Sequence, residues 1–205
     1  MIAIIDYDAG NIKSVEKAIH YLGEDACITR DRDLILSSDK VILPGVGSFG
    51  DAMAKLREYQ LVNTIYDVVE KGTPFLGICL GLQLLFQSSE ETPGVTGLGL
   101  LDGKIVRIPD APGLKIPHIG WNSLEYKSDA TLFQGLEATP YVYFVHSYYL
   151  QAENPADVAA TTYYSTNIHA SVEHDNIFAC QFHPEKSGSV GLQMLKNFIQ
   201  IGEDR

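Results

Sequence analysis

Gly77-Ile-Cys79-Leu-Gly81 is the segment that most limits what this chain can fold into. It follows a short apolar run at 73–78 and precedes a helical pattern at 80–86, so the backbone passes from a buried strand into a helix within one turn at Cys79. A residue on such a turn sits in strained geometry, and small flanking residues are required; Gly77 and Gly81 supply the clearance. The Cys79 side chain then projects above the sheet, where the following helix favours thiolate over thiol. The competing reading is a buried structural cysteine between two packing glycines.

The rest of the chain agrees with an α/β sheet. An apolar run at 2–7 opens into Asp8-Ala-Gly10-Asn11, and Ile12, Val15, Ala18, Ile19 and Leu22 then mark one helical face that Gly23 ends. A strand pattern at 40–43 leads into a glycine-rich loop and a helical stretch at 51–71 with an interruption near Tyr59. From about Leu100 the texture becomes β-rich, with short runs at 104–108, 141–145, 158–163, 168–172 and 177–182. A final helix at 187–201 carries Val190, Met194, Leu195, Phe198 and Ile199, with Ser187 as its expected N-cap. Without repeats or linkers, this predicts one mixed α/β domain over 1–205, parallel in its first half and partly antiparallel in its second.

Composition removes several alternatives. The 205 residues are 45% hydrophobic and 20% charged, enough for a large core and against disorder. A net charge of −11 repels nucleic acid and anionic membrane surfaces. The cysteines Cys27, Cys79 and Cys180 form neither a C-x-x-C pair nor a zinc-type cluster, so no metal or disulfide scaffold is expected. The first residues lack the basic region of a signal peptide, which leads us to expect a cytoplasmic protein.

A nucleophilic cysteine needs a base, and His183-Pro-Glu185 offers one. In extended chain, side chains two apart leave the same face, and Pro184 biases His183 away from helix. A carboxylate at Glu185 would hold the imidazole and stabilise the imidazolium. The alternative is a strand ending in a turn, with Glu185 serving only the final helix. The third element, Pro44-Gly-Val46-Gly47-Ser-Phe-Gly50, frees backbone amides for a phosphate or an oxyanion; without a following Lys-Ser/Thr, the oxyanion use is preferred.

Pro44-Gly-Val-Gly47, Gly77-Ile-Cys-Leu-Gly81 and His183-Pro-Glu185, in this order, resemble the class I (triad) glutamine amidotransferases. Ile5-Asp-Tyr7 with Gly10-Asn11 and Ser14-Val15, His118-Ile-Gly-Trp-Asn122, Tyr143-Phe-Val-His-Ser-Tyr148 and Lys186-Ser187 are most similar to the branch that forms the glutaminase subunits of imidazole glycerol phosphate synthase. Asp8, where many relatives carry glycine, and Asp110-Ala-Pro-Gly113 depart from that pattern.

The resemblance implies a three-layer fold with a mixed, mostly parallel central sheet and extra antiparallel strands in the second half. It also implies a Cys79, His183, Glu185 triad that hydrolyses glutamine through a thioester, with no cofactor. Backbone N–H groups of Leu80 and of Val46 or Gly47 would bind the oxyanion, while Gln83, Glu91, His146, Ser147 and Tyr148 would hold glutamine. The implied partner is a (β/α)8-barrel cyclase subunit in a heterodimer that takes ammonia through a channel, with Trp121, Asn122, Tyr143 and Lys186 at the interface. Three alternatives stay open: the glutaminase of pyridoxal 5'-phosphate synthase, a non-catalytic module of the same fold, and a thiol hydrolase without ammonia transfer.

Overall fold

The structure, a computed structural model, describes residues 1–202; positions 203–205, the end of the expected single domain, lie outside the described residues. Strand β1 (Ile2–Ile5) is buried along its whole length. Its side chains alternate between two cores, Ile2 and Ile4 in one and Ala3 and Ile5 in the other. A strand covered on both faces has no polar positions, which is why it reads as an unbroken apolar run.

In chain order follow α1 (Ile12–Tyr21), β2 (Ala26–Thr29), α2 (Arg32–Ser37), β3 (Lys40–Leu43), α3 (Phe49–Glu58), α4 (Leu61–Glu70), β4 (Phe75–Ile78) and α5 (Leu80–Leu84). The second half contributes β5 (Ser88–Ser89), β6 (Gly103–Arg107), β7 (His118–Ser123), β8 (Glu125–Tyr126), β9 (Tyr141–His146) and β10 (Tyr148–Ala152). β11 (Val158–Tyr164), β12 (Thr166–His174), β13 (Ile177–Cys180) and α6 (Gly188–Gln200) complete it.

The central sheet runs β2-β1-β3-β4-β13-β12-β10-β6-β5, with β11 and β8 attached through β12. Its first five strands are all parallel, whereas β12 pairs antiparallel with β13, β10 and β11. Helices α1 and α6 cover one face, where Val15, Ile19, Leu195 and Phe198 meet Ile4, Ile42 and Leu76. Helices α2 to α5 cover the other, with Ile35, Leu56, Ile65 and Leu82 against Ile5, Val41 and Phe75. The three layers and the change from parallel to antiparallel pairing agree with the expectation. Among the described residues no helix is long and apolar enough to cross a membrane.

Six elements escape the sequence patterns: β2, α2, β7, β10 and the two-residue strands β5 and β8. β2 is a half-buried four-residue strand at the end of the sheet order, too short to alternate visibly. α2 has six residues and one buried side chain; its clearest mark is Asp31, whose carboxylate accepts the Leu34 N–H at 2.9 Å. β7 and β10 lie within stretches valued above as motifs. The helix expected over 80–86 ends at Leu84, and Ser187 stands at the N-cap position of α6 without capping it.

β7 and β9 form a separate antiparallel pair, with His118 opposite His146 and Trp121 opposite Tyr143. Opposed residues share a face. One face buries His118, Phe144 and His146; the other exposes Ile119, Trp121, Tyr141 and Val145.

Candidate active site

The site begins with strand register. β4 and β13 are parallel neighbours with Ile78 opposite Cys180, and the Cys79 N–H donates to the Cys180 carbonyl at 2.8 Å. The residues that follow both strands therefore emerge together at the carboxyl edge of the sheet, where open α/β sheets bind their ligands. Cys79 leaves one strand directly; His183 follows the other after Gln181 and Phe182.

Cys79 has φ +55° and ψ −108°, a strained conformation for a residue with a Cβ. The packing that enforces it is tight. A Cβ on Gly81 would lie 1.9 Å from the Leu43 carbonyl oxygen, and one on Gly77 would lie 2.8 Å from the Gly81 carbonyl oxygen. Both flanking glycines are thus required by contact with backbone.

His183 Nδ1 lies 2.8 Å from Glu185 Oε1, and the ring also hydrogen-bonds the Cys79 side chain. A ring that gives Nδ1 to a carboxylate has Nε2 left for the sulfur. Burial by itself lowers the His183 pKa, but the Cys79 and Glu185 hydrogen bonds and charges outweigh it, leaving the value at about 9. The geometry differs from the extended-chain expectation: 184–186 form a 3-10 turn, and that turn brings Glu185 back to the ring. Glu185 Oε1 accepts a second bond, 3.1 Å, from Asn11 Nδ2. The Ser187 hydroxyl, expected to cap the last helix, instead donates to the His183 carbonyl at 2.6 Å and accepts the Tyr143 N–H at 3.0 Å.

Cys79 and His183 open into a cavity of about 340 Å³, within the usual range of small-molecule sites. Val46, Gly47, Leu80, Gln83, Glu91, His146, Ser147 and Tyr148 line it too, so the expected oxyanion and glutamine-binding residues surround one space. Several are already engaged. The Leu80 N–H donates to the Gly45 carbonyl at 3.4 Å, and Glu91 accepts the Phe49 N–H at 2.8 Å at the start of α3. Gln83 is buried, its amide donating to the Tyr148 carbonyl at 3.1 Å and to Gln181 Oε1 at 3.0 Å. Lys186, expected only at an interface, also lines the cavity.

The family described as glutamine amidotransferase class-I matches residues 3–201. The chain belongs to that family. It is 51% identical to the imidazole glycerol phosphate synthase subunit HisH of Thermosynechococcus vestitus, across 99% of this chain and 98% of that one. It is 50% identical to the HisH subunit of Methanothermobacter thermautotrophicus, across 98% of each. The crystal structure of a glutamine amidotransferase superposes with a TM-score of 0.76 over 98% of both chains, at 20% identity. PurLQS from Thermotoga maritima gives the same TM-score and identity over 98% of this chain and 97% of that one. These structures support the fold.

In this amidotransferase the other two cysteines are placed for packing. Burial, then the charges of Glu185 and Cys79, pushes the Cys180 thiol well up, and its sulfur faces the Phe182 carbonyl at 3.5 Å. Cys27, half-buried on β2, is also raised by burial first. Trp121 is 55% exposed and meets Tyr143 edge-on at 6.0 Å. Asn122 donates to the Tyr163 carbonyl at 3.0 Å.

Two parts of the amidotransferase site were not anticipated from sequence. Gln181 is fully buried and donates through Nε2 to Cys79 Sγ at 3.7 Å. His118 Nδ1 lies 2.9 Å from His146 Nε2, and His146 Nδ1 lies 2.9 Å from the Tyr148 carbonyl. A carbonyl only accepts, so His146 carries its proton on Nδ1 and His118 donates to its Nε2. Burial lowers both pKa values, to about 4 for His118 and about 3 for His146, so the pair is neutral.

Proposed function

We propose that this chain is the glutaminase subunit of an imidazole glycerol phosphate synthase, acting in histidine biosynthesis as one amidotransferase domain in the cytoplasm. The relation that carries the reading is the meeting of Cys79, His183 and Glu185 at one cavity edge, in a chain half identical to two HisH subunits over nearly its whole length. The similarity to HisH subunits disfavours the pyridoxal 5'-phosphate synthase alternative.

The chemistry follows from the geometry. Cys79 gives its proton to His183 and its sulfur pair attacks the glutamine carboxamide carbon, sending the carbonyl π pair to oxygen. Collapse of the tetrahedral adduct breaks the C–N bond as His183 passes that proton to the nitrogen, and ammonia departs. Water then attacks the thioester and gives a proton to His183. The C–S bond breaks with its pair returning to sulfur, and glutamate leaves. Glu185 holds the imidazolium through Nδ1. For Leu80 to serve the oxyanion with Val46 or Gly47, its N–H exchanges the Gly45 carbonyl for the substrate oxygen.

Gln83, Glu91, His146, Ser147 and Tyr148 shape the glutamine pocket, and Lys186 stands at its mouth between substrate and partner. The partner is a (β/α)8-barrel cyclase subunit, forming a heterodimer in which ammonia passes through a channel. The exposed Trp121 face, with Tyr143 behind it and Asn122 at its edge, is the docking surface. The deciding test is glutamate release by the assembled complex with Cys79→Ala. We expect loss of activity with the complex intact; normal release would remove the nucleophile assignment.

A further inference from the structure

The support for the Cys79 sulfur lies beyond the triad and the helix. α5 has only five residues, a short source of the helix dipole expected from sequence. Gln181, with no exposed surface, sends its Nε2 to Cys79 Sγ across 3.7 Å. We propose that Gln181 is a dedicated hydrogen-bond donor to the Cys79 thiolate, held in orientation by Gln83 and the Tyr148 carbonyl. The role deepens the glutaminase reading and rests on Cys79 being the nucleophile.

The orientation of the amide follows from a chain of forced choices. The Tyr148 carbonyl can only accept, so the Gln83 side chain turns its NH2 group toward it, at 3.1 Å. The same NH2 group faces Gln181 at 3.0 Å, so Gln181 must present its oxygen there and its own NH2 to the sulfur. Reversing the Gln181 amide would set two NH2 groups against each other and turn an acceptor toward the nucleophile. The backbone adds no freedom, since the Gln181 N–H is bound to the Ala170 carbonyl at 2.8 Å.

An N–H bond to an ion is stronger than one to a neutral partner, so this donor favours the thiolate over both the thiol and the thioester. Charge returns to the sulfur when the C–S bond breaks. The same donor therefore raises the share of sulfur present as the attacking thiolate and stabilises the thiolate that thioester hydrolysis releases, without moving. The other groups that sense this sulfur are His183, which hydrogen-bonds it, the Val145 carbonyl, which faces it at 4.0 Å, Tyr7, whose hydroxyl is raised by burial and then by the Cys79 charge, and Cys180, whose thiol is raised by burial and then by the charges of Glu185 and Cys79. Glu185 adds its charge through His183 and on Cys180. None of these is altered by removing the Gln181 amide.

The test is the pH profile of Cys79 alkylation by iodoacetamide in the full chain, followed by peptide mass spectrometry to separate it from Cys27 and Cys180. Gln181→Met removes the donor at similar size, and its alkylation midpoint is expected to move up by about one pH unit, the order expected for losing one hydrogen bond to an ion. Gln181→Glu, which keeps the shape but sets a carboxylate by the sulfur, is expected to move it further. A midpoint unchanged in both variants overturns the proposal.

A second measurement needs no variant at Gln181. In 15N-labelled wild-type protein its side-chain NH2 resonances are expected to shift through the Cys79 alkylation midpoint, and to lose that shift in Cys79→Ala; resonances that stay still through it also overturn the role. Either negative result in protein whose glutaminase activity still depends on Cys79 removes Gln181 alone. Activity that survives Cys79→Ala removes the underlying reading instead.

Discussion

The Ser187 hydroxyl binds the His183 carbonyl at 2.6 Å, and through the Tyr143 N–H it ties His183 to β9. A residue whose type and position read as a helix cap is therefore a clamp on the turn that carries His183 and Glu185. Ser187→Ala removes both bonds. We expect a loss of about 1–2 kcal/mol in urea denaturation, together with a fall in kcat that exceeds any change in KM. Unchanged kcat in a folded variant would confine Ser187 to stability.

Glu185→Gln keeps the side-chain size and removes the charge that stabilises imidazolium. The His183 pKa, about 9 in the wild type, is expected to fall in the variant, and kcat to fall by about 10²–10⁴. The sign for stability is set by a raised native value. The His183 contribution is full below its unfolded value of 6.5 and is lost as pH rises toward 9. NMR titration of the ring and urea midpoints across that window check both statements.

The His118–His146 pair predicts the opposite trend in acid. Both native values lie below the ordinary 6.5 of histidine, so the unfolded chain binds more protons and stability falls as pH drops from 6.5 toward 4. His118 also stacks on Tyr164 at 3.9 Å and on Phe144 at 4.8 Å, so protonation puts charge between aromatic rings in a buried layer. His118→Phe is expected to flatten the change in urea midpoint between pH 7 and pH 5. An equal acid loss in the variant would place the sensitivity elsewhere.

Gly81→Ala tests the elbow itself. With 1.9 Å available between the new Cβ and the Leu43 oxygen, β3 and the start of α5 must separate. We expect destabilisation of about 3 kcal/mol or more, read by thermal denaturation. A variant as stable as the wild type would mean that the elbow can relax.

Trp121→Ala tests the exposed face of the β7–β9 pair. The side chain is more than half exposed, so the isolated chain is expected to change in stability by no more than about 0.5 kcal/mol. Binding of the proposed cyclase subunit, measured by calorimetry, is expected to weaken by about 2 kcal/mol or more. Full affinity in the variant would move the docking surface off this face.

The parts of this molecule that were legible in its sequence are those whose physics is local. Paired glycines around Cys79, the unbroken apolar run of β1 and the stripe of α6 each declare a backbone state within a few residues. The His183–Glu185 contact was anticipated, although the extended geometry argued for it was replaced by a 3-10 turn. What stayed hidden depends on distant partners. Gln181 is one polar residue in an apolar stretch, a signal of a buried hydrogen bond whose other end no local pattern names. His118 and His146 meet only because β7 pairs with β9. The role of Ser187 was obscured because its residue type satisfied a simpler rule.

The registry between β4 and β13 has a mechanical meaning. Sliding one strand past the other by a single residue would displace the imidazole relative to the thiol by about 3.3 Å and send the side chains of the sliding strand to the opposite side of the sheet. The ladder of backbone hydrogen bonds between these two strands thus acts as a vernier, and the spacing between Cys79 and His183 is graduated by the backbone before any side chain chooses a rotamer.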